Sequence, residues 1–293
     1  MSERSHTVAQ QLGYAADARL LIINADDFGM CHAENVATIA GIEQGAFCSA
    51  TIMVPCPWFE ETAAFARRTP AADLGVHVTH TSEWATYKWG PVSGRSTVPS
   101  LVDACGNFHR DVGSLYAHAR LDEVEIETRA QIERALAAGI DVTHLDSHMG
   151  TLQLDVNYHD LYVRLAAEYR LPIRMASRTW MRAMGMAQIL DQANTLGVLA
   201  PDHFWYGGPP SPEATPTYWL EVLRGLQPGV NELYVHAAAD EPEMRAVSAA
   251  WAQRAADYRF FTAPSTHAQL QDLGITLIGY RSLRDLQRRS ATR

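Results

Sequence analysis

The sequence predicts an α/β fold, a single-domain (β/α) barrel of TIM-like form, on three observations. Short β-branched runs alternate with longer stretches of helical apolar spacing, which implies a parallel sheet covered by helices. Seven or eight such units occur, which suits closure into a barrel better than an open sheet. Across 293 residues no linker rich in Pro, Gly or Ser and no internal repeat divides the chain.

Residues 1–17 are polar and read as a loose extension, with the barrel spanning 18–293. Apolar and β-branched runs predict strands at 20–24, 49–54, 74–78, 142–146, 171–175, 232–236 and 275–279, with 202–206 a weaker eighth. Between them, polar and apolar faces at three-to-four spacing predict helices at 33–44, 59–68, 121–138, 158–169, 178–196, 216–226 and 243–258. Gly139 and Gly197 stand where two of these helices should stop. Two segments break the rhythm. Residues 80–110 carry Trp84, Tyr87, Trp89, Gly90, Pro91, Gly94 and Pro99 without a period; a loop this long is functional or disordered, and its aromatics argue for order. Residues 206–216, rich in Gly and Pro, are expected to rim the same end of the barrel.

Composition narrows the function classes. Hydrophobic residues make up 47% and charged residues 19%, which excludes a disordered chain. A chain of this length buries a large core without disulfide or metal staples. No run approaches a membrane-spanning length, and the first 19 residues lack the apolar stretch of a signal peptide, so a cytoplasmic protein with no membrane partner is expected. The net charge of −9, without a basic stripe, argues against nucleic acid. Lys88 is the sole lysine, so Schiff-base chemistry would rest on one side chain. The four cysteines, Cys31, Cys48, Cys56 and Cys105, form no CxxC pair, which disfavours structural zinc and suits a reducing compartment.

The 12 histidines are more informative, because several end apolar runs. The first strand runs into Asn24-Ala25-Asp26-Asp27-Phe28-Gly29, placing adjacent carboxylates where barrel active sites lie. An isolated Asp pair is commonly a helix cap and a solvated neighbour; at a strand-to-loop turn both can instead reach one site, one binding a metal and the other acting as a base. Gly75-Val76-His77 puts an imidazole inside an apolar strand, where a satisfied core histidine is the ordinary explanation. In His144-Leu145-Asp146-Ser147-His148 three ionisable groups share one face at period two, which is costly unless they are paired or coordinated. Glu232 to His236 is another apolar strand ending in His, and Pro172-Ile173-Arg174 brings an arginine. Together these offer a carboxylate and two imidazoles to a divalent ion with open positions, an arrangement suited to metal-assisted hydrolysis.

These stretches, in this order, resemble the YdjC/ChbG-type carbohydrate deacetylases, relatives of the polysaccharide deacetylases. The resemblance rests on residues 21–29, 75–77, 143–148, 171–174 and 232–236, with Val98-Pro99-Ser100-Leu101-Val102-Asp103 before Gly106 and Phe108 similar to the family's long loop. It implies a distorted (β/α) barrel, metal ligands at Asp27, His77 and His148, a catalytic base at Asp26 and a general acid at His236. Two departures stand out: Met149 and Gly150 follow His148 where many members carry further histidines, and Ala237 follows His236 where many carry Pro.

The reaction so implied is metal-dependent removal of an N-acetyl group from an amino sugar or oligosaccharide, with a metal-bound water as nucleophile and Asp26 as base. Arg174 is expected to orient Asp26 or to form an ion pair at the barrel mouth. Trp84, Tyr87, Trp89, Trp205 and Tyr206 are expected either to face sugar rings or to form the core of a lid. One divalent ion is expected, Zn²⁺ or Mg²⁺, with Mn²⁺ or Co²⁺ also compatible. The partner is a small carbohydrate, with a homodimer left open. Three alternatives remain: a deacylase of a non-sugar amide, a non-catalytic sugar-binding barrel, and a non-haem iron oxygenase using His144, Asp146 and His236. The second should have lost its base or acid, and both are present; the third leaves Asp26 and Asp27 without a role.

Overall fold

The structure, a computed structural model, describes residues 7–290. Its strands are β1 (Arg19–Phe28), β2 (Ser49–Ile52), β3 (Leu74–Val78), β4 (Val142–Ser147), β5 (His203–Trp205), β6 (Gly229–Val235) and β7 (Ile275–Leu277). They pair in parallel in the order β4-β3-β2-β1-β6-β5, and β7 joins the first three residues of β1. Strands β4 and β6 stand four places apart, about 19 Å in a flat sheet. Arg174 nonetheless bonds Asp146 on β4 and Glu232 on β6, each at 2.8 Å, so the sheet is curled into a half-barrel.

Strand β1 is buried from Leu20 onward, and period-two alternation gives it two faces. Leu21, Ile23 and Ala25 pack in the large core shared with the surrounding helices. Leu20 and Ile22 face the concave side, in a smaller cluster with Val8, Ala9, Val230, Tyr280 and Leu283. That cluster plugs the end of the sheet where β1 begins. Part of the plug comes from the segment read as a loose extension: Val8–Gln11 is a helical turn with a Thr7–Gln10 capping box, and the Val8 amide donates to Asp202 at 3.1 Å. The rest comes from the helix Tyr280–Ser290.

Several expectations need correction. Residues 171–175 form no strand: Ile173 makes one bridge to Leu145, and its N–H turns the other way, to the Leu199 carbonyl. Pro172, without an N–H, cannot extend that ladder. The helix expected at 178–196 is two, Arg178–Ala183 and Ala187–Thr195, parted at Gly185, whose φ of +73° ends the first. That expected at 243–258 is also two, Pro242–Val247 and Trp251–Thr262. Ser248 is extended there, and its hydroxyl caps the Ala250 amide at 3.1 Å. Among the described residues no helix is long and apolar enough to cross a membrane.

Segment 80–110 is ordered and tied to the helix Leu121–Ala137 by two carboxylates. Glu127 accepts from the Val92 and Ser93 amides at 3.0 and 2.9 Å, and Glu123 from the Ser100 amide at 2.8 Å.

Below Asp146 on β4, His144 stacks on Tyr280 with ring centroids 3.7 Å apart and planes 6° from parallel. Gly75 makes room for that imidazole, because a Cβ there would lie 2.5 Å from the ring. Gly75→Ala is therefore expected to destabilise the fold by about 1–3 kcal/mol through overpacking, a lowered thermal midpoint being the check.

Candidate functional site

The chemistry-bearing side chains gather on the concave side, at the C-terminal ends of the strands. On β1, Asn24 and Asp26 continue the inward face of Leu20 and Ile22, and alternation would send Asp27 outward. The β1–β2 register slips between Ala25 and Phe28, and Asp27 takes a left-handed φ of +64°. That conformation is uncommon outside glycine, with Asp among the residues that tolerate it best. The kink turns consecutive carboxylates into one cavity. Met149, just after His148, is left-handed too, at φ +53°.

Asp27, His77 and His148 are all buried. Asp27 Oδ1 lies 3.4 Å from His77 Nε2 and 3.3 Å from His148 Nδ1, and those nitrogens are 3.3 Å apart. Donors at about 2.1 Å from a tetrahedral ion stand about 3.4 Å from one another, so the triangle has the size a divalent cation needs. Asp27 Oδ1 is buried without a hydrogen-bond partner among the described residues, which a cation would remedy.

Outer contacts fix each imidazole. His77 Nδ1 bonds Asp146 at 2.6 Å, which leaves Nε2 for the cavity. His148 Nε2 bonds Glu83 at 3.0 Å, which leaves Nδ1. Burial works against charge on both rings, but Asp146, with Asp27 and Asp26, lifts His77 to about 9, and Glu83 and Asp27 lift His148 to about 10. Burial likewise works against charge on Asp27, yet His236, Arg254 and the two imidazoles hold its pKa well below the usual range.

Asp26 is held apart from this triangle. Arg174 grips it through two 2.7 Å bonds, and Asn24 donates to Oδ1 at 2.8 Å. Against the effect of burial, Arg174 holds its pKa at about 2. Arg174 also bridges Asp146 and Glu232, and Glu232 accepts from the Tyr280 hydroxyl at 2.6 Å. Asp26, His77 and Asp146 form a second group close enough to hold a cation, and the Arg174 guanidinium already joins its two carboxylates.

His236 stands at the open side, its side chain 36% exposed and its Nε2 3.8 Å from Asp27 Oδ2. Burial and Arg254 lower its pKa from 6.5, while Asp27 and Asp26 oppose the shift. Beside it a cleft of about 310 Å³ is lined by Tyr206, Tyr234, Trp219, Gln253 and Asp257.

The structure thus brings together Asp26, Asp27, His77, His148, Arg174 and His236, while the aromatics divide. Tyr206 is 84% exposed on the cleft. Trp84 and Tyr87 are half-buried against Met30, and Trp89 is buried beside His148 with its N–H on the Thr81 carbonyl. Trp205 faces away: its N–H reaches Asn231, near the start of β6, and its neighbour Phe204 points inward over Arg174. The grouping of His144, Asp146 and His236 is not among the sets that can hold a cation. Sequence reasoning missed Phe204, Tyr234, Glu83, Glu34 and Arg254. Strand alternation could have signalled the first two; the charged three lie in an aperiodic loop and on helices, where they resemble solvated residues.

Comparison with known proteins points to one family. Residues 20–272 match the family described as YdjC-like protein. The chain is 30% identical over 268 residues to a carbohydrate deacetylase of Brevibacillus brevis, covering 90% of this chain and 99% of that one. A Thermus thermophilus protein of the same name is 34% identical over 264 residues, covering 87% and 90%. Among solved structures, an Enterococcus faecalis protein named for cellobiose-phosphate cleavage superposes with a TM-score of 0.78 at 28% identity, covering 91% of this chain and 99% of that one.

A cation entering the triangle must displace protons from His77 and His148, whose pKa values of about 9 and 10 lie above neutrality. Uptake should release protons, and affinity should strengthen about tenfold per pH unit for each proton displaced until pH passes those values. Calorimetry in buffers of differing ionisation enthalpy reads this directly; a heat independent of buffer contradicts it.

Proposed function

The chain belongs to the YdjC-like family, and from that membership we propose that it is a carbohydrate deacetylase, a hydrolase that splits the N-acetyl amide of an amino sugar or oligosaccharide into amine and acetate. The observation that carries the mechanistic reading is the separation of the adjacent aspartates, one facing two imidazoles and the other clamped by an arginine. Asp27, His77 and His148 would hold one divalent ion, Zn²⁺ or Mg²⁺, with Mn²⁺ and Co²⁺ also compatible with two nitrogens and one oxygen. When bound, such an ion supplies Lewis acidity toward an amide carbonyl and lowers the pKa of water.

The chain's own groups do the rest. Asp26 is the base. Its Oδ1 already accepts from Arg174 and Asn24, whereas Oδ2, among the described residues, accepts only from Arg174 and keeps a lone pair for the proton of the attacking water. Arg174 orients it and keeps it ionised. His236 Nε2, at the open side, donates a proton to the departing amine, which is too basic to leave as an anion. The negative Asp26–Asp27 pair favours that proton on His236, while burial opposes it. Tyr206 and Tyr234 give the cleft flat faces suited to a sugar ring, and its size suits a small ligand.

Acetate release from a panel of N-acetylated sugars, with and without divalent metals, tests this. Metal-dependent release from at least one sugar is expected; release that persists after chelation, or none from any sugar with any metal, overturns it. The aspartates should also fail differently. Asp26→Asn should retain metal while kcat falls by about 10²–10⁴. Asp27→Asn tolerates the left-handed backbone but removes the anionic ligand, so metal retention should drop and activity recover partly at high metal concentration. Metal loss in the first with normal retention in the second would reverse the assignment.

A further inference from the structure

The two oxygens of Asp27 have different surroundings. Oδ1 faces the imidazole nitrogens, and Oδ2 accepts a 2.8 Å bond from an Arg254 guanidinium nitrogen. That same nitrogen bonds Glu34 Oε1, and both residues are buried, Arg254 being 7% exposed. They arrive on different helices: Glu34 lies in the first turn of His32–Glu43, and Arg254 in Trp251–Thr262. The loop that follows His236 pins both, because the Ala238 amide donates to the Arg254 carbonyl and the Ala239 amide to the Ala33 carbonyl. The Trp84 ring covers the guanidinium at 5.8 Å.

Burying a cation against the ligand of another cation weakens that ligand electrostatically, so affinity alone does not explain Arg254. A purely structural pair with Glu34 would not need to reach Asp27. What the contact does fix is direction. A carboxylate with both oxygens free can chelate an ion, whereas one whose outer oxygen is held offers only the other.

We infer that Arg254, braced by Glu34, is a positioning residue that makes Asp27 a one-oxygen ligand and so reserves coordination positions for water and the substrate carbonyl. The inference rests on the reading of Asp27 as a metal ligand. Glu34 Oε1 accepts from the same guanidinium nitrogen and so holds it against Asp27, and the pair works as one unit.

Cobalt is a suitable probe, since its visible absorption weakens as coordination number rises. Arg254→Gln should bind Co²⁺ at least as tightly as the parent chain, with a weaker visible band, while kcat falls about 10–100-fold and KM changes little. Glu34→Gln should shift the band in the same direction by less. Arg254→Gln is a buried change, so circular dichroism and the melting temperature are followed beside it; should it not fold, the Glu34→Gln band decides alone. A band unchanged in the folded variants overturns the inference, as does cobalt retention that falls only in step with melting temperature. A parent chain that takes up no cobalt overturns the metal centre itself, and this inference with it.

Discussion

Arg174 is the group on which the rest of the interior depends. The curled sheet directs three carboxylates, Asp26, Asp146 and Glu232, to one dry concavity, and that density of negative charge cannot persist there without a cation. A planar guanidinium answers all three at fixed angles, which a lysine ammonium would not. By joining Asp26 to Asp146 it also fills the place between them, so of the two groups that could hold a cation among the described residues, the one made by Asp27, His77 and His148 is left open. His77 then has Asp146 on one side and Asp27 on the other, which fixes the ring's orientation.

Much of this was legible in the sequence, for a physical reason. Strand alternation is rigid, so polar residues at period two in an apolar run must share an interior face, and Asn24 with Asp26 or His144 with Asp146 could be read as neighbours before any coordinates. His144 shows the limit: the face was right, but depth along it was not readable. One layer lower it meets Tyr280 instead of Asp27, His77 and His148. Asp27 also escaped the alternation rule, because its place depends on a register slip that the sequence does not announce.

What stayed hidden arises from long-range contact. Residues 171–175 have the composition of a strand, but Pro172 and the competing Leu199 carbonyl reduce them to one bridge. Glu34 and Arg254 sit on ordinary-looking helices, and their meaning appears only where both converge on Asp27. Trp205 and Phe204 differ by one position, and that one step decides which ring looks over Arg174.

The anchored segment 80–110 has a bearing on selectivity. Its backbone amides are spent on Glu123 and Glu127, side chains buried on a long helix, so this flank of the cavity is held as firmly as the helix itself. It brings Glu83 to His148 and lays Trp84 over Arg254, and these contacts are made with the chain already in place. Shape discrimination then falls to the opposite flank, where His236 and Tyr206 meet solvent. With a buried wall facing a solvent-exposed rim, substitutions at the neighbours of His236 or at Tyr206 alter the outline of the cleft while leaving the buried charge cluster untouched.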